Sequence, residues 1–114
     1  MRNLEQIRAA NALQAAPEIG TGRSGGKGVA KKFPTYIRNN GLLGAAAFAS
    51  EVRQGYETVA QAIIDHLGHE EIALTKATGL DSFIKELGAA DSTHLRRSTS
   101  EAMAFLNYLR RFAD

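Results

Sequence analysis

Apolar residues recur at helical spacing along most of the chain, and no segment alternates convincingly with the period of two that marks a half-buried strand. Residues 3–16 contain such a stripe among residues of good helix propensity, at Leu4, Ile7, Ala10 and Leu13. We expect this first helix to stop at Pro17. Residues 18–28 hold five of the eleven glycines with no apolar period, so we expect a Gly-rich, mobile loop there.

Residues 27–39 predict a second helix, with apolar and basic positions on nearly opposite sides. Pro34 interrupts it, because proline has no N–H and crowds the carbonyl four residues back, so the helix either kinks there or restarts with Pro34 in its first turn. Asn39-Asn40-Gly41 is typical of a C-terminal cap, with Gly41 in the left-handed conformation. Residues 42–52 are nearly uncharged and predict a third, largely buried helix.

The clearest amphipathic stripe lies between Gly55 and Gly68 and predicts a fourth helix, with apolar positions at Tyr56, Val59, Ala60, Ile63, Ile64 and Leu67. Residues 70–78 are ambiguous. A short helix follows, with its N-cap at Asp81 or Ser82 and its end at Gly88. The last helix begins either at the capping-box spacing of Ser98 and Glu101 or, less interrupted, near Ser92. The chain is therefore expected to be all-α, one domain over residues 1–114, an irregular bundle of about five or six helices.

Length and composition narrow the class of protein. A chain of 114 residues is one domain's worth, with a modest core and no deep catalytic cleft. The absence of Cys excludes a disulfide framework, a thiolate zinc site and a Cys nucleophile, and it favours an intracellular location. No apolar run approaches the ~20 residues that span a bilayer, and the first residues lack a signal-peptide core, so we expect a soluble, cytoplasmic chain without membrane association.

The charge is segregated along the chain although its sum is only +2. Residues 1–53 carry eight Lys or Arg against three acids, residues 54–91 carry two against seven, and residues 92–114 carry four against two. The ends are basic and the middle is acidic. Such a chain can offer a positive face to phosphates and an acidic face to a basic protein, although an ordinary solvated surface has the same appearance.

The basic residues cluster on the predicted second helix. Lys27, Lys31 and Arg38 fall within about 40° of one another around a continuous helix, with Lys32 to one side, so one face could follow several phosphates. A solvated helix face is equally compatible with this pattern. Further candidates for contact with a nucleic-acid backbone are Arg23 on the Gly-rich loop and Arg96 with Arg97 before the last helix. Arg110 and Arg111 suit the negative end of that helix's dipole at least as well.

Two phosphate-binding motifs are suggested and neither is supported. Residues 20–25 match G-x-G-x-x-G, but a helix and Pro17 precede them where a dinucleotide site needs a strand. A P-loop fails as well, because Gly28 stands where a Ser or Thr must hold Mg²⁺. The sequence therefore predicts no bound cofactor.

The remaining chemistry-bearing residues do not form a catalytic or metal set. His66 and His69 lie near a helix end without a third ligand, so solvated side chains are expected. Ser98 and Ser100 have no evident base to activate them. The acids are expected to form a solvated or partner-facing surface, not a pair for acid–base work: Glu70, Glu71, Asp81 and Glu86. We therefore expect no metal site and no enzyme activity.

Three groups of residues, in this order, are typical of one family. They are Pro34-x-x-Ile37-Arg38-x-Asn40-Gly41-Leu42 with Ala47-Phe48, then Thr99-x-Glu101-Ala102, then Tyr108-Leu109-Arg110-Arg111-Phe112-Ala113. Through them the chain resembles, over most of residues 2–114, the small all-helical subunit of type III-B CRISPR (Cmr) effector complexes.

The resemblance implies a non-catalytic architectural subunit in antiviral defence. Its partners would be the backbone and large subunits of the Cmr complex, other copies of itself stacked along the filament, and the crRNA with its paired target RNA. The basic residues would then contact RNA. The alternative from the residues alone is a helical DNA-binding regulatory protein, for which Arg38-Asn39-Asn40 is the closest approach to a base-reading set. Those residues fall at a helix end, whereas a recognition helix reads bases with its N-terminal part.

Overall fold

The computed structural model of the protein describes residues 2–20 and 26–113, without the side chain of Lys27. These residues form five helices and no strand: α1 (Leu4–Gly20), α2 (Gly26–Val52), α3 (Tyr56–Leu67), α4 (Leu80–Ala89) and α5 (Ser92–Phe112). The all-α prediction is confirmed, with a helix number inside the expected range.

The first helix continues through Pro17, so the prediction that it stops there is wrong. Proline in the last turn removes the single hydrogen bond that its own nitrogen would make to residue 13 and crowds that carbonyl. The same turn buries Ala16 and Ile19 in the core, which offsets that cost. The predicted Gly-rich loop over 18–28 is also too long, because residues 18–20 belong to α1 and residues 26–28 to α2. Residues 21–25 lie outside the described part of the chain.

The second helix is interrupted at Gly41 and not at Pro34. Gly41 is the residue of α2 with non-helical dihedral angles, φ 79° and ψ 166°, whereas Pro34 lies within the helix. The positive φ predicted for Gly41 is confirmed; its ψ is extended, a combination that is essentially restricted to glycine. Gly41 divides α2 into an N-terminal arm, residues 26–40, and a C-terminal arm, residues 42–52.

The two arms of α2 fold back on each other. In a straight helix, residues 36 and 48 would be separated by about 18 Å. The rings of Tyr36 and Phe48 are instead stacked, with centroids 4.5 Å apart and planes inclined by 23°. Tyr56, at the start of α3, contacts both rings edge to face and so joins α3 to the bend. The expected third helix therefore exists as the C-terminal arm of α2.

The connection to α3 is a left-handed turn. Arg53, Gln54 and Gly55 all have positive φ, and the Tyr56 N–H donates to the Arg53 carbonyl at 2.7 Å. The Glu57 carboxylate fixes the turn by accepting from the Gly55 N–H at 2.7 Å. The fourth predicted helix, from Tyr56 to Leu67, is confirmed as α3.

The ambiguous segment 70–78 forms turns and then extended chain. Glu86 on α4 holds it by accepting from the Thr75 hydroxyl at 2.6 Å and from the Lys76 N–H at 3.2 Å. The predicted ends of α4 are each slightly displaced. The helix starts after Gly79, with the Ser82 hydroxyl donating to the Gly79 carbonyl, and it runs past Gly88 to Ala89.

The last helix starts at the earlier of its two predicted positions. Asp91 is its N-cap, accepting from the His94 N–H at 2.8 Å. The capping-box alternative is wrong because Ser98 and Glu101 lie in the helix interior and face the core. α1 packs along α5 in the antiparallel direction, since Glu5 contacts Tyr108 and Arg8 contacts Glu101. The core between the helices is apolar and includes Phe33, Leu42, Ile63, Leu67, Phe83, Phe105, Leu106 and Leu109.

Candidate nucleic-acid interface

The N-terminal arm of α2 presents a basic surface to solvent. Lys31, Lys32 and Arg38 are exposed, while Phe33 and Ile37 on the same arm are buried. Lys31 and Arg38 are seven residues apart, two turns of helix, and therefore lie on nearly the same line. Lys32 lies about 100° away on the other side of the exposed face. We call these three residues the basic face of α2.

The basic face of α2 is not neutralised by nearby acids. Residues 19–50 contain no Asp or Glu. Lys32 and Arg38 form no ion pair with any residue that the structure describes; the Arg38 Nε only approaches the Pro34 carbonyl, at 3.5 Å. By contrast, three other arginines pair with carboxylates, at distances of 3.0 Å for Arg2, 2.7 Å for Arg8 and 3.5 Å for Arg53.

The other predicted contacts lie elsewhere. Arg96 and Arg97 are exposed near the start of α5, away from its buried stripe, and make no ion pair among the described residues. They are on a different helix from the basic face of α2, although α2 and α5 pack against each other. Arg23 and the side chain of Lys27 lie outside the described part of the chain. The structure thus brings Lys31, Lys32 and Arg38 together on one surface.

A groove of about 720 Å³ lies between α1 and α3. Three carboxylates line it, Glu18, Glu57 and Asp65, together with Arg53 and neutral amides. Asp65 accepts from the Gln61 amide at 2.9 Å. This acidic groove belongs to the acidic middle of the chain, and it gives the molecule a negative side distinct from the basic face of α2.

The structure also contains a buried polar network that sequence patterns did not predict. Glu101 on α5 accepts from Arg8 through both oxygens, Nε to Oε2 at 2.7 Å and Nη2 to Oε1 at 2.8 Å. His66 on α3 donates from Nε2 to the same Oε2 at 2.9 Å, and its Nδ1 accepts from the Asn11 amide at 2.9 Å. Phe105 stacks on the imidazole at 4.4 Å. We call these four polar residues the Glu101 network; it ties α1, α3 and α5 together.

Burial and hydrogen bonding shift the pKa values within the Glu101 network. Burial lowers the pKa of His66 and outweighs the opposing effect of the Glu101 carboxylate. Burial by itself would raise the pKa of Glu101, but the hydrogen bonds from Arg8 and His66 more than offset it, and that pKa is lowered. The hydrogen bond to Glu101 raises the pKa of Arg8. At neutral pH the network therefore contains an arginine cation, a carboxylate and a neutral histidine.

The expectation of a solvated His66 is wrong, because its side chain is fully buried. It faces the core because it shares the inner side of α3 with Ile63 and Leu67. Glu71 pairs with Arg2 at 3.0 Å and Glu86 holds the 75–76 segment, so part of the expected acidic surface is used within the fold. No three His, Cys, Asp or Glu side chains among the described residues are grouped as a metal site would require.

The sequence and the fold are similar to those of one group of known proteins. The family model described as CRISPR-associated protein (Cas_Cmr5) matches residues 4–114. The fold is similar to the X-ray crystal structure of a CRISPR-associated Cmr5 family protein from Thermus thermophilus, with a TM-score of 0.80, 24% sequence identity, and coverage of 99% of this chain and 96% of that one. No curated protein sequence matches the chain. None of the described helices has the length and apolar character that crossing a membrane requires.

Proposed function

The chain belongs to the CRISPR-associated Cmr5 family and is a small subunit of the type III-B Cmr complex, and from that premise we propose that it is a non-catalytic subunit that helps to hold target RNA. In this proposal copies of the chain stack along the complex beside the crRNA, and the basic face of α2 contacts the RNA backbone. Other Cmr subunits are its protein partners.

The observation that carries the proposal is the unneutralised basic face of α2. Lys32 and Arg38 are exposed, have no carboxylate partner among the described residues, and lie in a stretch of 32 residues, 19–50, that contains no acid. Surface cations that serve only the fold gain little from remaining unpaired and close together. A phosphate backbone supplies the negative charge that this surface lacks.

Contacts of this kind position a strand without reading it. Lys and Arg on phosphates carry no sequence information, so the chain would hold any target that the guide has paired. Sequence specificity would then come from base pairing with the crRNA, as in other RNA-guided systems. Arg96 and Arg97 on α5 are a second candidate stretch of the same path.

The acidic groove suits a protein neighbour in the same assembly. Glu18, Glu57 and Asp65 line it on the acidic side of the chain. Because RNA is repelled by carboxylates, this side is better suited to a basic segment of another subunit than to the RNA. Separate basic and acidic surfaces would let one small chain contact RNA and protein together.

Cleavage of the target would belong to other subunits. Ser98 is buried in α5, and the polar groups of the Glu101 network are enclosed between three helices and hydrogen-bonded to one another. Neither arrangement leaves a nucleophile or base facing a substrate. RNA cleavage that co-purifies with the chain and disappears on a single substitution within it would contradict this part of the proposal.

The test is charge reversal on the basic face of α2 within the assembled complex. Lys31→Glu together with Arg38→Glu should weaken retention of the target RNA, to a similar extent for unrelated target sequences. Lys76→Glu with Lys85→Glu is a matched control, since both lysines are exposed, lie in the acidic part of the chain, and change the net charge equally. The control should retain target RNA like the unaltered chain.

Both variants must assemble with their partners for the comparison to hold. An exposed helix face contributes little to stability, so the isolated Lys31→Glu and Arg38→Glu chain should keep its helicity. Equal loss in both double variants would show a general effect of charge and contradict a localised RNA path. Tighter binding to duplex DNA than to RNA at matched salt would favour a DNA-binding regulator instead.

A further inference from the structure

An aromatic cluster lies at the bend of α2, next to the basic face. Tyr36 and Phe48 are stacked at 4.5 Å, and Tyr56 meets them at 5.5 Å and 5.0 Å, nearly perpendicular to both. All three rings are half-buried, so each remains partly open to solvent. Phe33, which is fully buried, lies 6.3 Å from Tyr56 and joins the cluster to the core.

The distances show which surface of Tyr36 is left uncovered by other rings. A ring on the outer face of the stacked pair would be roughly twice as far from one member as from the other. Tyr56 is almost equidistant from Tyr36 and Phe48, so it lies beside the stack and covers its edge. The face of Tyr36 that points away from Phe48 therefore has no aromatic partner among the described residues.

The surroundings of Tyr36 are polar and positively charged. Lys32 is one turn earlier on the same side of the arm, and exposed Asn40 is one turn later. Lys31 and Arg38 lie across the exposed face of the same arm. A chain that crosses this face from Lys31 and Arg38 passes Lys32 before it reaches Tyr36, without meeting a carboxylate from residues 19–50.

We propose that Tyr36 is a stacking platform for an unpaired base of single-stranded RNA, whose flanking phosphates lie on Lys32 and the rest of the basic face of α2. The proposal rests on the proposed function and adds a base contact to it. An aromatic ring beside cations is the combination that binds single strands, because every base has a π-face and every nucleotide carries a phosphate. Such stacking tolerates any base, so it adds affinity without reading sequence.

The occupant is set by charge and by shape together. An apolar protein segment would satisfy Tyr36 but would have to bury Lys32 beside it, and burying an unpaired ammonium is costly. Double-stranded nucleic acid offers phosphates but keeps its bases stacked internally. A single strand with an exposed base meets both the ring and the cation.

Removal of the base from the RNA is the direct test. Binding of the full chain to a single-stranded oligoribonucleotide is compared with binding to the same oligonucleotide made abasic, at matched salt. The intact RNA should bind roughly ten-fold more tightly, which is within the usual range for stacking on one aromatic ring. Tyr36→Leu should abolish that difference, and Tyr36→Phe, which keeps the ring, should preserve it.

Two further variants separate this inference from the proposed function. Tyr108→Leu removes a half-buried tyrosine from α5 and should leave the difference between the two RNAs intact. The Lys31→Glu and Arg38→Glu chain should bind both RNAs more weakly and to the same extent. If that charge effect is found but the intact and abasic RNAs bind alike, the phosphate contacts stand and the stacking is refuted. If neither RNA binds the full chain, both are refuted.

Photo-crosslinking covers the case in which Tyr36→Leu disturbs the bend of α2. RNA containing 4-thiouridine is irradiated with the unaltered chain, and the attached peptides are identified. Attachment at Tyr36 supports the platform. Attachment confined to peptides that lack Tyr36 overturns it, whatever the variants show.

Discussion

Substitution of Glu101 by glutamine tests the energetic weight of the Glu101 network. The change keeps the size of the side chain but replaces one charged oxygen by an NH₂ group. Arg8 and the Nε2 of His66 present only N–H donors to this position. The glutamine amide nitrogen must then face a donor, and the Arg8 cation loses its carboxylate.

The magnitude follows from burial. The Glu101 side chain is 9% exposed and that of Arg8 is 24% exposed. Breaking a fully buried ion pair costs about 3–5 kcal/mol, and water can reach Arg8 in part, so the lower end applies, about 3 kcal/mol. With an m-value of about 1.5 kcal/mol per molar urea, the unfolding midpoint should fall by about 2 M.

Urea unfolding followed by helical circular dichroism measures this loss. Glu71→Gln is the matched control, because Glu71 also pairs with an arginine, Arg2, but at an exposed site where such pairs contribute at most about 1 kcal/mol. Combination of Glu101→Gln with Arg8→Leu should cost at least about 1 kcal/mol less than the sum of the single changes, since both remove the same interaction.

A small effect would refute this reasoning. If Glu101→Gln shifts the midpoint no further than Glu71→Gln does, the Glu101 network does not hold α1, α3 and α5 together. Strict additivity of Glu101→Gln and Arg8→Leu would likewise show that the two side chains act independently.

The remaining predictions concern pH and the bend of α2. Because the pKa values of His66 and Glu101 are both lowered, the unfolded chain binds more protons in mild acid, so stability should be constant above about pH 7.5, fall as pH drops through the ordinary range for His66, and fall further as the Glu101 carboxylate is protonated. A urea midpoint that does not change between about pH 7.5 and pH 4 would contradict this. Gly41→Ala should cost about 1–3 kcal/mol, because φ 79° with ψ 166° strains any residue with a Cβ even though no atom lies within 4 Å of it. Gly88→Ala, in a helical and equally open position, should be neutral or slightly stabilising, and similar melting temperatures for the two variants would place the bend elsewhere.

Local patterns predicted the helices well where one signal dominated. The stripe from Tyr56 to Leu67 and the glycine at 41 each specify local geometry, and both predictions are confirmed. Pro17 and Pro34 misled because proline lowers the stability of a helix without forbidding it, and burial of neighbours such as Ile19 outweighs that cost. The double signal before α5 was resolved by Asp91, whose carboxylate caps the earlier start.

The Glu101 network escaped prediction because its members are far apart in sequence. Arg8, His66 and Glu101 meet only when three helices pack. A sign was nevertheless present, since His66 and Glu101 each lie on the apolar stripe of a helix. A charged or polar residue in such a position requires a buried partner. The identity of that partner depends on helix packing, which periodicity does not specify. The position of the RNA path has the same limit, because exposure of Lys32 and Arg38 follows from the fold while their ligand does not.

The salt dependence of target-RNA retention by the assembled complex tests the proposed role most directly. Retention is measured at several salt concentrations for the unaltered chain and for the Lys31→Glu and Arg38→Glu variant. If the basic face of α2 binds the RNA backbone, the variant should retain less RNA, with a log–log slope shallower by roughly 0.7 for each single-strand phosphate that it no longer binds. Unchanged retention and an unchanged slope, in a variant that assembles normally, would contradict the proposal and direct the search to Arg96 and Arg97.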